Sequence, residues 1–300
     1  MISLLLIGSC LFSGVLLRRT AILDANAVKS LNGLLIYFFI PILTLYHIPR
    51  ITFEWKLIWL TITPFAAYLG SLLYIRLINL GSAFDKSTEG AMIMTSGIGS
   101  ISFVGFPIFE LLYGQEGLAY GIVLSLAGTL LVFNTLGLAT GLYYSGKSGS
   151  LKDFLARFFT FPPFLAFLLA ISTHFLPFPL PELYNQLLGK LSAPFSVMAI
   201  IAIGAQIQFT FDKKLLKSLL LGNIYKLLLS PLLVFSLLYL TIGTDSVMAK
   251  VCILGSAIGS MNAVSILAAR MDLNPPLAAL MPAIGIPVSI GWLFVVDILL

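Results

Sequence analysis

Two stretches decide how this 300-residue chain folds: Ser96-Gly97-Ile98-Gly99-Ser100-Ile101-Ser102-Phe103-Val104 and Ser256-Ala257-Ile258-Gly259-Ser260-Met261-Asn262-Ala263-Val264. They lie 160 residues apart and share five of nine positions: Ser, Ile, Gly, Ser and Val. Each sits inside a long apolar run. Gly97, Gly99, Gly105 and Pro107 weaken a helix through the first, and Gly255 and Gly259 weaken one through the second. A helix broken in an apolar run leaves bare backbone N–H groups where its second half starts, and that positive end favours an anion. Small residues also let membrane helices pack closely. Either stretch alone reads best as packing; their pairing across a repeat shifts the reading to a site.

Working outward, the composition sets the solvent. Hydrophobic residues make up 59% and charged residues 10%, with a mean hydropathy of +1.05. A soluble domain has about 45–50% apolar and about 25% charged residues, so the bilayer must solvate most of this chain. The net charge of +5 is spread between apolar runs rather than gathered on one stretch, which excludes a nucleic-acid partner. Cys10 and Cys252 both lie inside apolar runs, form no metal-ligand spacing, and read as small buried residues.

Ten apolar segments can be marked, at about 2–17, 31–48, 57–75, 91–112, 117–144, 164–176, 187–209, 219–242, 247–269 and 277–300. They are continuous rather than alternating, so they read as helices and not as a barrel. With the N-terminus outside, inner loops hold Arg18, Arg19, Lys29, Arg76, Lys86, Lys147, Lys152, Arg157, Lys213, Lys214, Lys217 and Arg270. The outer side holds only Arg50, Lys56, Lys190 and Lys250, so the positive-inside rule puts both termini outside. Arg18-Arg19 follow the first run rather than precede it, the reverse of a signal peptide.

The expected fold is all-α and integral to the membrane: ten transmembrane helices in two inverted five-helix repeats, with broken, crossing helices 4 and 9. Residues 1–145 form the first repeat, 146–158 a cytoplasmic hinge, and 159–300 the second repeat. The expected anion site comprises Ser100, Ile101, Ser102, Ser260, Met261 and Asn262, with Asn134 from the fifth span. Gly99, Gly105, Pro107, Gly259 and Ser265 shape the crossing. Lys226, nine residues past Lys217, falls about 13 Å into the membrane at about 1.5 Å per residue, where a cation is costly and a functional candidate. Its two readings are anion attraction or helix anchoring, and binding to the carbonyls of a broken helix. Asn32 and Gln206 are weaker candidates for the site, and His47 and His174 lie near outer span ends.

No Asp or Glu falls at the centre of a span; Glu110 and Asp297 lie near ends. Ion coupling through an intramembrane carboxylate pair is therefore not expected. Neither HExxH nor GxSxG occurs, no phosphate-binding loop occurs, and neither enzyme chemistry, a cofactor nor a metal is expected.

At these residues the chain resembles the auxin efflux carrier family. Ser102-Phe103-Val104-Gly105-Phe106-Pro107 looks like that family's fourth-span crossover, with Gly99, Phe103, Gly105 and Pro107 fitting and Ser100 standing for its Asn. Asn262-Ala263 with Leu267-Ala268 resembles the ninth-span crossover without its usual proline. Lys226-Leu227 with Pro231, and Leu31-Asn32 with Pro41, resemble the eighth and second spans. The resemblance implies a secondary transporter of small carboxylates such as auxin, malate or malonate. It implies a transport part, built on spans four and nine, that rocks against a scaffold of spans one, two, six and seven. A homodimer is expected from the resemblance alone. The rival expectations are a sodium-coupled organic-acid symporter of the bile-acid type and a non-transporting receptor or scaffold.

Overall fold

The computed structural model describes residues 2–147, 159–176, 181–207 and 213–300. Most of the expected hinge at 146–158 lies outside the described residues. Among the described residues every regular element is helical, and the one β contact is an isolated bridge. We number the helices α1 (Ile2–Arg19), α2 (Ala25–Arg50), α3 (Trp55–Ser82), α4 (Lys86–Gly97), α5 (Ile101–Ser145), α6 (Pro162–Phe175), α7 (Glu182–Gln206), α8 (Leu216–Tyr239), α9 (Val247–Ser256), α10 (Asn262–Arg270) and α11 (Pro275–Leu299). Six of them (α2, α3, α5, α7, α8 and α11) are long and apolar enough to cross a membrane, and α6 and α9 are shorter apolar helices. The fourth and fifth apolar segments meet inside α5 at Gly114, whose φ of 65° and ψ of −151° break the helix there. That φ is open to glycine and strained for other residues.

Leu80 (86% exposed), Ile298 (83%) and Phe175 (83%) belong to a wide set of large apolar side chains at the surface. Water would not tolerate such a coat. Lipid does, because helices satisfy their own backbone groups.

The helices are not uniform. α2 widens into a π turn at Leu35–Phe39 ahead of Pro41, and α8 does so at Tyr225–Leu229 ahead of Pro231. Proline has no N–H for the carbonyl four residues back, so the ladder slips. In α8 that carbonyl is Leu227, and the Trp292 indole N–H of α11 donates to it at 2.6 Å.

The chain divides into two compact units. The first comprises Met1–Phe53, Ser102–Ile122 and Leu151–Ile207, and so contains α1, α2, α6 and α7. Here α1 meets α7 through glycines: a Cβ on Gly14 would stand 2.2 Å from the Ile201 carbonyl oxygen, and one on Gly204 2.3 Å from that of Leu11. Phe195 packs against Phe39 and Phe106, with ring centroids 6.4 and 6.0 Å apart. Ser196 donates to Glu110, and Gln206 donates to Asn32 at 3.3 Å.

The second unit comprises Glu54–Ile101, Val123–Ser150 and Gln208–Leu300. Its core gathers Tyr68, Ile75, Met92, Met94, Leu277 and Met281. The buried Tyr68 hydroxyl donates to Thr140 at 2.7 Å, which satisfies the one polar atom of a large apolar ring. All of the crossing described next belongs to this unit.

Candidate functional site

α4 ends at Gly97, which lies against the Tyr68 ring; a Cβ there would stand 2.5 Å from the ring. Ile98 is then extended (φ −121°, ψ 119°). α9 stops at Ser256, and α10 begins at Asn262 after an extended Met261 (φ −75°, ψ 129°). The two gaps pair with each other. Ser100 N donates to the Gly259 carbonyl at 2.9 Å, and Met261 N donates to the Ile98 carbonyl at 3.0 Å. These bonds frame an antiparallel bridge between Gly99 and Ser260. A local two-fold that exchanges Gly99 with Ser260 turns one bond into the other. The structural pairing is thus one residue out of step with the 160-residue offset of the sequence match.

Close approach fixes the residue types. A Cβ on Gly259 would meet the Gly285 carbonyl carbon at 2.4 Å and its oxygen at 2.5 Å, so the α11 backbone lies directly against the break. A Cβ on Gly99 would stand 3.0 Å from the Ile258 carbonyl oxygen and 3.2 Å from Lys226 Nζ.

Polar groups gather here without partners. The Ser96, Ser260 and Ser265 hydroxyls and Asn223 Oδ1 are buried and accept or donate no hydrogen bond. An unmatched buried polar group costs about 1–3 kcal/mol, and natural structures keep few of them unless a ligand or water completes them. Ser260 lies two residues before α10, and Ser265 lies one turn inside it. The N-terminal end of a helix carries partial positive charge, and the unpartnered Ser260 and Ser265 hydroxyls lie at the N-terminal end of α10.

Lys226 is 2% exposed and sits in the π turn of α8. No described residue forms a hydrogen bond or ion pair with its Nζ. The second of its two expected readings, a lysine hydrogen-bonded to broken-helix carbonyls, therefore differs from the structure: Nζ approaches the crossing without a formed bond. It lines a cavity of about 20 Å³ together with Thr63, Thr129, Gly97, Gly99, Cys252 and Ser256. That volume suits one water-sized group.

The expected site is only partly assembled in this unit. Gly99, Ser100, Gly259, Ser260, Met261 and Lys226 come together, and Ile101 lines the cavity beside them. Ser102, Gly105 and Pro107 belong to the first unit. Asn134 lies in a π turn of α5, and its Nδ2 donates to Leu130 O at 2.7 Å; it does not line the cavity. Asn32 and Gln206 spend hydrogen bonds on each other in the first unit. His174 bonds the Ile48 carbonyl at 3.0 Å, and His47 is buried in α2. Thr63 and Thr129 are not among the residues the sequence points to, whereas Asn223 shares a helical face with Lys226 and Ser230 there. Thr63 had one signal, its place next to Pro64 within an apolar run. No group of three or more His, Cys, Asp or Glu able to hold a metal occurs among the described residues.

The fold and its coat of apolar side chains define a multi-pass helical membrane protein. No protein-family model matches the chain. It is similar to a protein named an uncharacterized transporter from Methanothermobacter thermautotrophicus, 29% identical over 192 residues. That match covers 64% of this chain and 60% of the relative, so the chain spans less than two thirds of that protein's length. It is also similar to an uncharacterized transporter from Methanocaldococcus jannaschii, 26% identical over 227 residues, 72% of this chain and 71% of that protein.

Proposed function

We propose that this protein is a secondary carrier that moves a small organic anion, a carboxylate, across the cell membrane by alternating access. The observation that carries the reading is the crossing at Gly99 and Ser260, where the half-buried N-terminal end of α10 lies beside the buried, unpartnered Ser260 and Ser265 hydroxyls. Such an end attracts negative charge, and discontinuous helices of this kind hold the substrate in many transporters. Similarity to two proteins named as transporters supports it. In this reading the chain is an auxin efflux carrier relative with ten spans in two inverted repeats and both termini outside. Ser100, Ser260, Met261 and Asn262 contact the anion, and the remainder of the protein positions them. Uptake of a panel of labelled dicarboxylates and aromatic acids into proteoliposomes tests it. At least one anion should be concentrated, and Ser100→Leu and Asn262→Leu should each lower its uptake at least about tenfold while the protein stays folded. Uptake of no anion, or full uptake by both variants, would contradict it.

A further inference from the structure

We propose that Lys226 is a built-in cation that fills the place a free monovalent cation would take at the crossing, and that removing its ammonium opens an oxygen-lined site for Na⁺. The part of this that concerns carrier coupling rests on the transport reading above; the binding part does not. The cavity that Lys226 lines is also lined by Thr63, Thr129 and Ser256, each of whose hydroxyls donates to a carbonyl of its own helix. Thr63 Oγ1 donates to Trp59 O at 2.8 Å, Thr129 Oγ1 to Leu124 O at 3.2 Å, and Ser256 Oγ to Ile253 O at 2.6 Å. Each hydroxyl oxygen therefore retains lone pairs and no proton to give. α4 and α9 both end at this cavity, through Gly97 and Ser256, and the C-terminal end of a helix is its negative end. A Cβ on Gly99 would meet both the Ile258 carbonyl oxygen, at 3.0 Å, and Lys226 Nζ, at 3.2 Å. Hydroxyl oxygens and half-helix C-terminal ends suit a cation, and unwound carbonyls with such ends are where coupling sodium binds in broken-helix carriers.

Among the described residues no carboxylate lines the cavity, and Lys226 is the one Lys or Arg that does. A buried charge without compensation is expensive, and the polar surroundings this cavity offers are the hydroxyl residues and the two helix C-terminal ends that line it. A small anion is disfavoured, because the hydroxyls would turn lone pairs toward it. The ammonium hangs on four methylenes from α8, so the cation can never dissociate. A carrier built this way needs no sodium to hold its crossing together.

The test uses the full-length protein in detergent. Thermal unfolding is followed in NaCl and in choline chloride at equal ionic strength for native protein, Lys226→Ala and Lys226→Met. Native protein should unfold at the same temperature in both salts. Lys226→Ala, which empties the site, should be less stable in choline and should regain at least about 4 °C with sodium in a saturable way. Lys226→Met, which fills the space without charge, should show no sodium gain. A saturable sodium gain in native protein, no gain in Lys226→Ala, or an equal gain in Lys226→Met would overturn the proposal. Failure of both Lys226→Ala and Lys226→Ser to yield folded protein when prepared in NaCl would also overturn it, since the added ion should replace the charge. Absence of anion uptake by native protein strikes the carrier reading and leaves this readout unaffected.

Discussion

Gly259→Ala isolates the crossing from everything else in the molecule. The added methyl would sit 2.4 Å from the Gly285 carbonyl carbon and 2.5 Å from Ile286 N, all of it backbone. Carbon atoms rest at about 3.5–4.0 Å, so the α11 backbone and the break must part by about 1 Å. Neither side can rotate away, because both are main chain. Parting strains the bonds that hold the crossing, Ser100 N to Gly259 O at 2.9 Å and Met261 N to Ile98 O at 3.0 Å. Overpacking costs about 1–3 kcal/mol and each lost hydrogen bond about 1 kcal/mol. The total is about 3–5 kcal/mol, or a fall in unfolding temperature of roughly 10 °C at about 2–4 °C per kcal/mol. Thermal unfolding in detergent reads it directly. Gly291→Ala is the control, since a Cβ at Gly291 meets nothing within 4 Å; it should be neutral or slightly stabilising. If Gly259→Ala unfolds within 2 °C of native protein, with 2 °C taken as roughly the shift from 1 kcal/mol, the close approach of α11 to the break is wrong.

Three further outcomes follow from single contacts. Trp292→Phe keeps an aromatic six-membered ring but strips the Leu227 carbonyl of its donor ahead of Pro231, so stability should fall by at least about 1–2 kcal/mol, measured by thermal unfolding. Gly204→Leu drives a side chain into the Leu11 carbonyl, 2.3 Å from the ideal Cβ, and should abolish the monodisperse peak in size-exclusion chromatography. Lys147→Ala removes an ion pair to Asp272 of 2.6 Å whose side chains are 46% and 79% exposed. Solvent screens such a pair, so the unfolding temperature should move by no more than about 2 °C.

Much of this was legible in the chain because lipid leaves few options. Long apolar runs must be helices there, and Gly97, Gly99 and Gly259 mark where those helices fail. The burial of Lys226 accords with its place nine residues past Lys217 in an apolar run. What surrounds it was not legible. The proton commitments of Thr63, Thr129 and Ser256 depend on which way each hydroxyl turns in its own helix. Asn134 looked like a site residue by position, yet its amide folds back on Leu130, a local bond that periodicity cannot foresee. The Gly259–Gly285 approach joins two helices through residues that carry no side chain, so no pattern advertises it. Residues 96–104 and 256–264 pair in the structure through Gly99 and Ser260, one residue away from the 160-residue register of their sequence match.

Thiol labelling of Ser260→Cys, in a background with Cys10→Ala and Cys252→Ala, asks whether the buried crossing lies on a path open to water and carboxylates. Ser260 is 1% exposed, so reaction with a small anionic methanethiosulfonate in membrane vesicles requires the site to open. The account predicts labelling that a transported carboxylate slows. A cysteine that stays unmodified over hours in folded protein, or one whose labelling ignores every carboxylate tried, would contradict it.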